Sequence, residues 1–267
     1  KRQAYLGKGQ YDEPFEMHSP INEEKFLEFR IMPYAEDQAM LVVRDVTRLR
    51  SLEKTRKHFV SNVSHELRTP LTVLKGYLEM TEEPPPPAMW AKAHKVMMEQ
   101  TIRMDNLVNQ LLTLSRIEAA PTVDLSHLVD MPAMLGLLEQ EARALSGERA
   151  HEIVFMVQPN LLVRGDQDQL RSAVSNLVYN AIHYTPAGRK ITVEWRKQGS
   201  MALFAVQDEG EGIPPEHLAR LTERFYRVDK ARSRHTGGSG LGLAIVKHAL
   251  SPVSYTHLRA HETDSYL

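Results

Sequence analysis

The chain has 267 residues, 42% of them apolar, and a formal net charge of −1 from 33 Lys and Arg against 34 Asp and Glu; this is ordinary globular material with room for two modest domains and a fragment. The absence of cysteine excludes disulfides, zinc–thiolate sites and thiol catalysis. The balanced charge gives no electrostatic support for nucleic-acid binding, and no apolar run approaches the roughly 18 residues that a membrane span needs. The opening on Lys1, with neither methionine nor signal peptide, reads as a piece of a longer protein.

Residues 1–50 hold short strand-like runs. Phe26-Leu27-Glu28-Phe29-Arg30-Ile31 alternates as a half-buried strand does, Ala39-Met40-Leu41-Val42-Val43 is a second run, and Ala35-Glu36-Asp37-Gln38 suits a hairpin between them. Two strands cannot close a good core, so this segment reads as the end of an upstream domain. Residues 51–83 switch to helical spacing, with Val60, Val63, Leu67, Leu71, Leu74 and Leu78 on one stripe. Four prolines, Pro84 to Pro87, force a break. Met97, Met104, Leu107, Leu111 and Leu114 then mark a second helix that ends before Pro121. One hairpin cannot cover both stripes, whereas pairing with a second copy as a four-helix bundle does, so the pattern predicts a homodimer. Residues 129–250 mix helices near 131–145, 166–183 and 240–250 with strands near 152–157, 191–197 and 201–207, an α/β arrangement. The Gly-, Pro- and charge-rich stretch 209–238 is long enough to be a lid or binding loop.

Four constellations carry chemistry. In Ser64-His65-Glu66-Leu67-Arg68-Thr69-Pro70, the proline removes the helical partner of the Glu66 carbonyl and predicts a bend beside His65. A neutral imidazole is a competent nucleophile near pH 7, Glu66 is placed to take or hold its other proton, and Thr69, one turn on, is placed to orient a water. His58 lies on nearly the same face but lacks the acidic neighbour and the proline. Asp166 with Gln169 resembles a capping pair opening a helix. On that helix Asn176 and Asn180 are i,i+4 neighbours whose carbonyls are hard oxygen ligands suited to Mg²⁺. Asp208-Glu209-Gly210-Glu211-Gly212 follows a strand: its glycines permit close approach to a flat ligand, and Asp208 can accept from an exocyclic amine. Gly237-Gly238-Ser239-Gly240-Leu241-Gly242 runs into an apolar helix and forms a phosphate cradle at its positive end. It is neither a P-loop nor a Rossmann fingerprint, because the following Lys-Ser/Thr and the glycine spacing are missing.

In their order these segments resemble the sensor histidine kinases. His65-Glu66-Leu67-Arg68-Thr69-Pro70 is similar to the H box, Asn176-Leu177-Val178-Tyr179-Asn180-Ala181 to the N box and Asp208-x-Gly210-x-Gly212 to G1. Arg224-Phe225-Tyr226-Arg227 is similar to the F box and Gly238-x-Gly240-Leu241-Gly242 to G2. The segments Leu111 to Pro121 and Arg227 to Arg234 look closest to the phosphate-regulon branch. The resemblance implies an α+β multidomain chain: the end of a PAS domain in 1–50, a dimerisation and phosphoacceptor hairpin in 51–120, a linker in 121–128 and an α/β-sandwich ATP-binding domain of the Bergerat type in 129–250.

By the same resemblance, ATP and Mg²⁺ are the cofactors. Asn180 and Asn176 hold the metal, Asp208 reads the adenine amine, and Tyr184 stacks on the base. Gly210, Gly212, Gly238, Gly240, Leu241 and Gly242 line the nucleotide, and Arg227 and Arg232 contact the γ-phosphate. His65, with Glu66, accepts the phosphoryl group and passes it to a response regulator, and Thr69 serves the reverse, phosphatase reaction. Phosphate-transport accessory proteins are further expected partners, and the whole protein is expected in the bacterial inner membrane. Two departures stand out. Glu209 and Glu211 replace residues that are often Asn and Pro, adding negative charge near the phosphates. Ser251 to Leu267 resembles nothing in the family and is expected to be a foreign tail, leaving the sheet with an open edge. A docking module without catalysis, and an ATPase of the gyrase or chaperone kind, are the other readings; the His65 box argues against the latter.

Overall fold

The computed structural model describes residues 14–35, 38–80, 86–119, 126–228 and 238–250. Contacts divide the chain into two compact units, Lys1–His65 and Glu66–Leu267, with the division inside a helix.

The first unit is an antiparallel meander of β1 (Phe15–His18), β2 (Phe26–Ala35) and β3 (Gln38–Asp45) in the order β1-β2-β3. Phe15 faces Phe29 across the ladder and the rings stack with centroids 5.1 Å apart, a cross-strand pair of the kind that fixes register. Every residue of β3 is exposed, and among the described residues of this unit Val46 is the buried apolar side chain. The chain leaves the sheet through Asp45, whose carboxylate accepts from the Thr47 amide (3.0 Å) and hydroxyl (2.6 Å). Those bonds, with Lys25 beside it, pull the Asp45 carboxyl down to about 2. This anchor starts helix α1 (Thr47–Glu79) four residues before the expected position 51. The helix runs unbroken through Pro70.

In the second unit, the remainder of α1 is followed by α2 (Pro87–Ala119). Pro87 opens that helix where a missing amide hydrogen costs nothing. Asp130 then caps α3 (Met131–Ser146), accepting from the Ala133 amide at 3.0 Å. The main sheet has the order β5-β7-β8: β5 (Glu152–Val157) runs parallel to β7 (Lys190–Gln198), which pairs antiparallel with β8 (Met201–Asp208). Along β7, Ile191, Val193 and Trp195 alternate inward and are buried, the period of a half-buried strand. Helix α4 (Gln167–Tyr184) lays Leu170, Val174, Val178, Ala181 and Ile182 into the same core as Leu135 and Leu138 of α3. A two-residue ladder pairs β4 (Leu128–Val129), at the end of the expected linker, with β6 (Val163–Arg164). The stretch after β8 contains one short helix, α5 (Pro215–Leu218), among the described residues. Helix α6 (Gly242–Leu250) packs on both α4 and α2.

Candidate functional site

The site is built where α4, the end of β8 and the start of α6 converge. Because α4 turns its apolar stripe to the core, Asn176 and Asn180 fall on the adjoining, half-buried face. The Asn176 amide nitrogen donates to the Ser172 carbonyl at 2.7 Å, which leaves its oxygen turned toward α6. That oxygen lies 2.8 Å, and the Asn180 nitrogen 3.7 Å, from where a Cβ on Gly242 would stand. Only glycine permits so close an approach. The positive end of a nine-residue helix thus opens directly onto two side-chain amides.

The loop ahead of α6 is held in place by the chain around Phe225. Gly240 has φ +74°, and a Cβ there would meet the Phe225 carbonyl carbon at 2.8 Å. Its carbonyl accepts from the Phe225 amide at 2.8 Å. Ser239 Oγ accepts from the Leu241 amide at 3.1 Å and donates to Gln110 of α2. At the end of β8, Asp208 Oδ1 accepts from the Gly210 amide at 2.8 Å, closing the turn. A Cβ on Gly210 would stand 2.6 Å from that oxygen and 3.2 Å from the Tyr184 carbonyl. Tyr184 is half exposed, and its hydroxyl lies 3.2 Å from where a Cβ on Gly238 would be. Asn176, Asn180, Tyr184, Asp208, Gly210, Gly212, Arg227, Gly238, Gly240 and Gly242 all line one cleft of about 2490 Å³.

Leu241 departs from the expected set. It is fully buried beneath the start of α6, so its side chain packs the loop down and does not line the cleft. Glu209, expected to add charge near the phosphates, is tied elsewhere: its carboxylate accepts from the Lys190 amide at 3.1 Å. Arg227 is 7% exposed and grips Glu66, with Nη1 and Nη2 each 3.3 Å from a carboxylate oxygen. It also donates to the Gly238 carbonyl. Arg103 of α2 reaches the same carboxylate at 3.4 Å. Arg232 and Gly237 lie outside the described residues. His65 and Thr69 are exposed on α1.

Several residues here had no motif to announce them. Arg103 and Gln110 on α2 touch Glu66 and Ser239. Glu118, at the end of α2, pairs with Arg224 and stands 3.5 Å from His248 of α6. Burial holds the His248 imidazole below its ordinary value, against the pull of Glu118. Tyr179 donates to Glu141 at 2.8 Å, and burial with that carboxylate pushes its phenol up to about 12. Among the described residues no group of three or more His, Cys, Asp or Glu could hold a metal. A divalent cation in this cleft would therefore draw on Asn amide oxygens and on the oxygens of a bound phosphate, a donor set that suits Mg²⁺.

Two family models match the chain. "His Kinase A (phospho-acceptor) domain" covers residues 55–120. "Histidine kinase-, DNA gyrase B-, and HSP90-like ATPase" covers 165–263, running past Leu250, where the motif-level resemblance stops. The chain is 47% identical over 250 residues to the phosphate regulon sensor protein PhoR of Pseudomonas aeruginosa, covering 92% of this chain and 56% of that protein. It is 42% identical over 243 residues to PhoR of Haemophilus influenzae, covering 91% and 56%. The chain thus spans about half the length of these curated relatives. The solved histidine kinase AdeS of Acinetobacter baumannii shares the fold, with a TM-score of 0.53 at 24% identity over 70% of this chain and 86% of that one. With both family models matched in succession and 47% identity to PhoR across 92% of its length, the chain belongs to the PhoR-like sensor histidine kinases.

Proposed function

We propose that the chain is the phosphoryl-transfer core of a two-component sensor kinase in phosphate-starvation signalling. The observation that carries this reading is the meeting of Asn176 and Asn180 with the glycine-lined start of α6, which pairs oxygen ligands with a helix N-terminus as a nucleoside triphosphate requires. In this reading Asp208 accepts from the adenine amine, Tyr184 covers the base, and Gly210 and Gly212 let the backbone approach it. The glycines before α6 receive the phosphates, and Asn180 with Asn176 holds the Mg²⁺ that neutralises charge on them. An imidazole nitrogen of His65 attacks the γ-phosphorus in line, ADP leaves, and Glu66 holds the proton on the other ring nitrogen.

The phosphoryl group then passes to an aspartate of a response regulator similar to PhoB, and Thr69 orients a water for the reverse, phosphatase step. The working form is a homodimer, supported by apolar residues left open on α1 and α2. No helix among the described residues is long and apolar enough to cross a membrane; attachment to the inner membrane, the PAS assignment of 1–50 and contacts with phosphate-transport accessory proteins are carried over from the resemblance alone. The test is incubation with γ-labelled ATP and Mg²⁺. Label that survives alkali, is lost in acid and is absent from His65→Ala is the expected result. Chelation of the metal should abolish it. Label retained in His65→Ala would overturn the assignment.

A further inference from the structure

The Glu66 carboxylate is the meeting point of two cations from different elements. Arg227 covers both its oxygens at 3.3 Å, and Arg103 reaches Oε2 at 3.4 Å. Arg227 is nine-tenths buried, yet its Nε has no partner among the described residues. A buried guanidinium donor left unsatisfied is unusual, and it points to an acceptor that arrives with a ligand. Arg227 lines the same cleft as Asn176, Asn180 and the glycines before α6. A planar guanidinium binds carboxylate and phosphate in the same forked way, so the two are alternatives at one arginine.

We propose that Glu66 and the terminal phosphate of the nucleotide compete for Arg227, so that Glu66 sets how strongly the site prefers ATP over ADP. This rests on the ATP-binding reading above. With no terminal phosphate present, Arg227 stays on Glu66, tying the backbone at Arg227 to α1. When ATP enters, its γ-phosphate draws Arg227 away, and Arg103 remains to hold Glu66 in place. ADP, lacking that phosphate, leaves the pair closed. The coupling is reciprocal: weakening the Glu66 pair must strengthen ATP binding by the factor that ATP weakens the pair.

The experiment is calorimetric titration with Mg²⁺ and either adenylyl imidodiphosphate, a non-hydrolysable ATP analogue, or ADP. It uses the intact chain, Glu66→Gln, Arg227→Ala and the double variant. Gln keeps the shape of Glu66 and removes its charge, and Glu66→Ala repeats the test without the amide. In Glu66→Gln the analogue should bind about fivefold tighter or more relative to ADP, the low end of ordinary coupling between sites. On the Arg227→Ala background, the same change should leave the ratio untouched. An unchanged ratio in Glu66→Gln and Glu66→Ala, with both nucleotides still bound, overturns the competition and leaves the ATP-binding reading standing. No binding of either nucleotide to the intact chain overturns both.

Discussion

Helices α1 and α4 meet the problem of apolar side chains in opposite ways. Over 18 residues α4 buries Leu170, Ala173, Val174, Val178, Ala181 and Ile182. Over 33 residues α1 buries only Pro70, and Val60, Leu71 and Leu78 stay more than half exposed at 56%, 51% and 58%. The α/β domain therefore completes its core within one chain, whereas the hairpin presents a stripe that needs another surface. Folding of the first should then be a property of the single chain, and order in the second should depend on concentration.

The comparison breaks most visibly in the α/β core. Leu135 is fully buried in it, and Leu135→Ala should cost about 2–5 kcal/mol. The loss, read by denaturant unfolding, should be the same at every protein concentration. Leu71→Glu on the hairpin should instead leave the isolated domain's unfolding in place and weaken self-association by about 1.5–3 kcal/mol, the value of one buried leucine. Sedimentation over a dilution series would show it, and a monomer that stays monomeric with and without the change would remove the contrast. A smaller effect, about 1 kcal/mol, is expected from Tyr179→Phe, which deletes the bond to Glu141 but leaves the hairpin alone.

The smallest effect lies where α6 meets α2. His248 is held below its ordinary value by burial, with Glu118 pulling the other way and Arg224 and Lys247 adding to the depression. Its folded value therefore lies below its unfolded value of about 6.5. The unfolded chain binds the proton first, so the contribution of His248 to stability is complete above pH 6.5 and is lost as pH falls through the folded value. Replacing His248 by Gln should flatten thermal stability across that window. An identical slope in the variant would remove His248 from the account.

Much of the α/β domain was legible because its signals are local. The stripe of α4 and the Asp166 cap, which accepts from the Gln169 amide at 2.9 Å, are written within a few residues. The capping pair is only half made, however: the Gln169 side-chain oxygen is buried without a partner among the described residues, so propensity was right about the helix start and wrong about the reciprocal bond. Strand β1 and the β4–β6 ladder escaped because four and two residues are too few for a period to show. Arg103 and Glu118 escaped for another reason. Their partners stand 37 and 106 residues away, and a lone charge on a helix looks like solvated surface until the fold brings its counterpart to it. Arg227 was found through its motif, yet the structure first gives it to Glu66, 161 residues earlier. No pattern in the sequence ranks two such competing acceptors.

The Phe225 amide bound to the Gly240 carbonyl, with Arg227 bound to the Gly238 carbonyl just inside it, ties the backbone on one side of residues 229–237 to the backbone on the other. Between two fixed ends, lengthening a connection costs only about 0.6 kcal/mol for each doubling of its length. Insertions or replacements within 229–237 should therefore leave the start of α6 in register with Asn176 and Asn180, because the tie and not the connection sets that register.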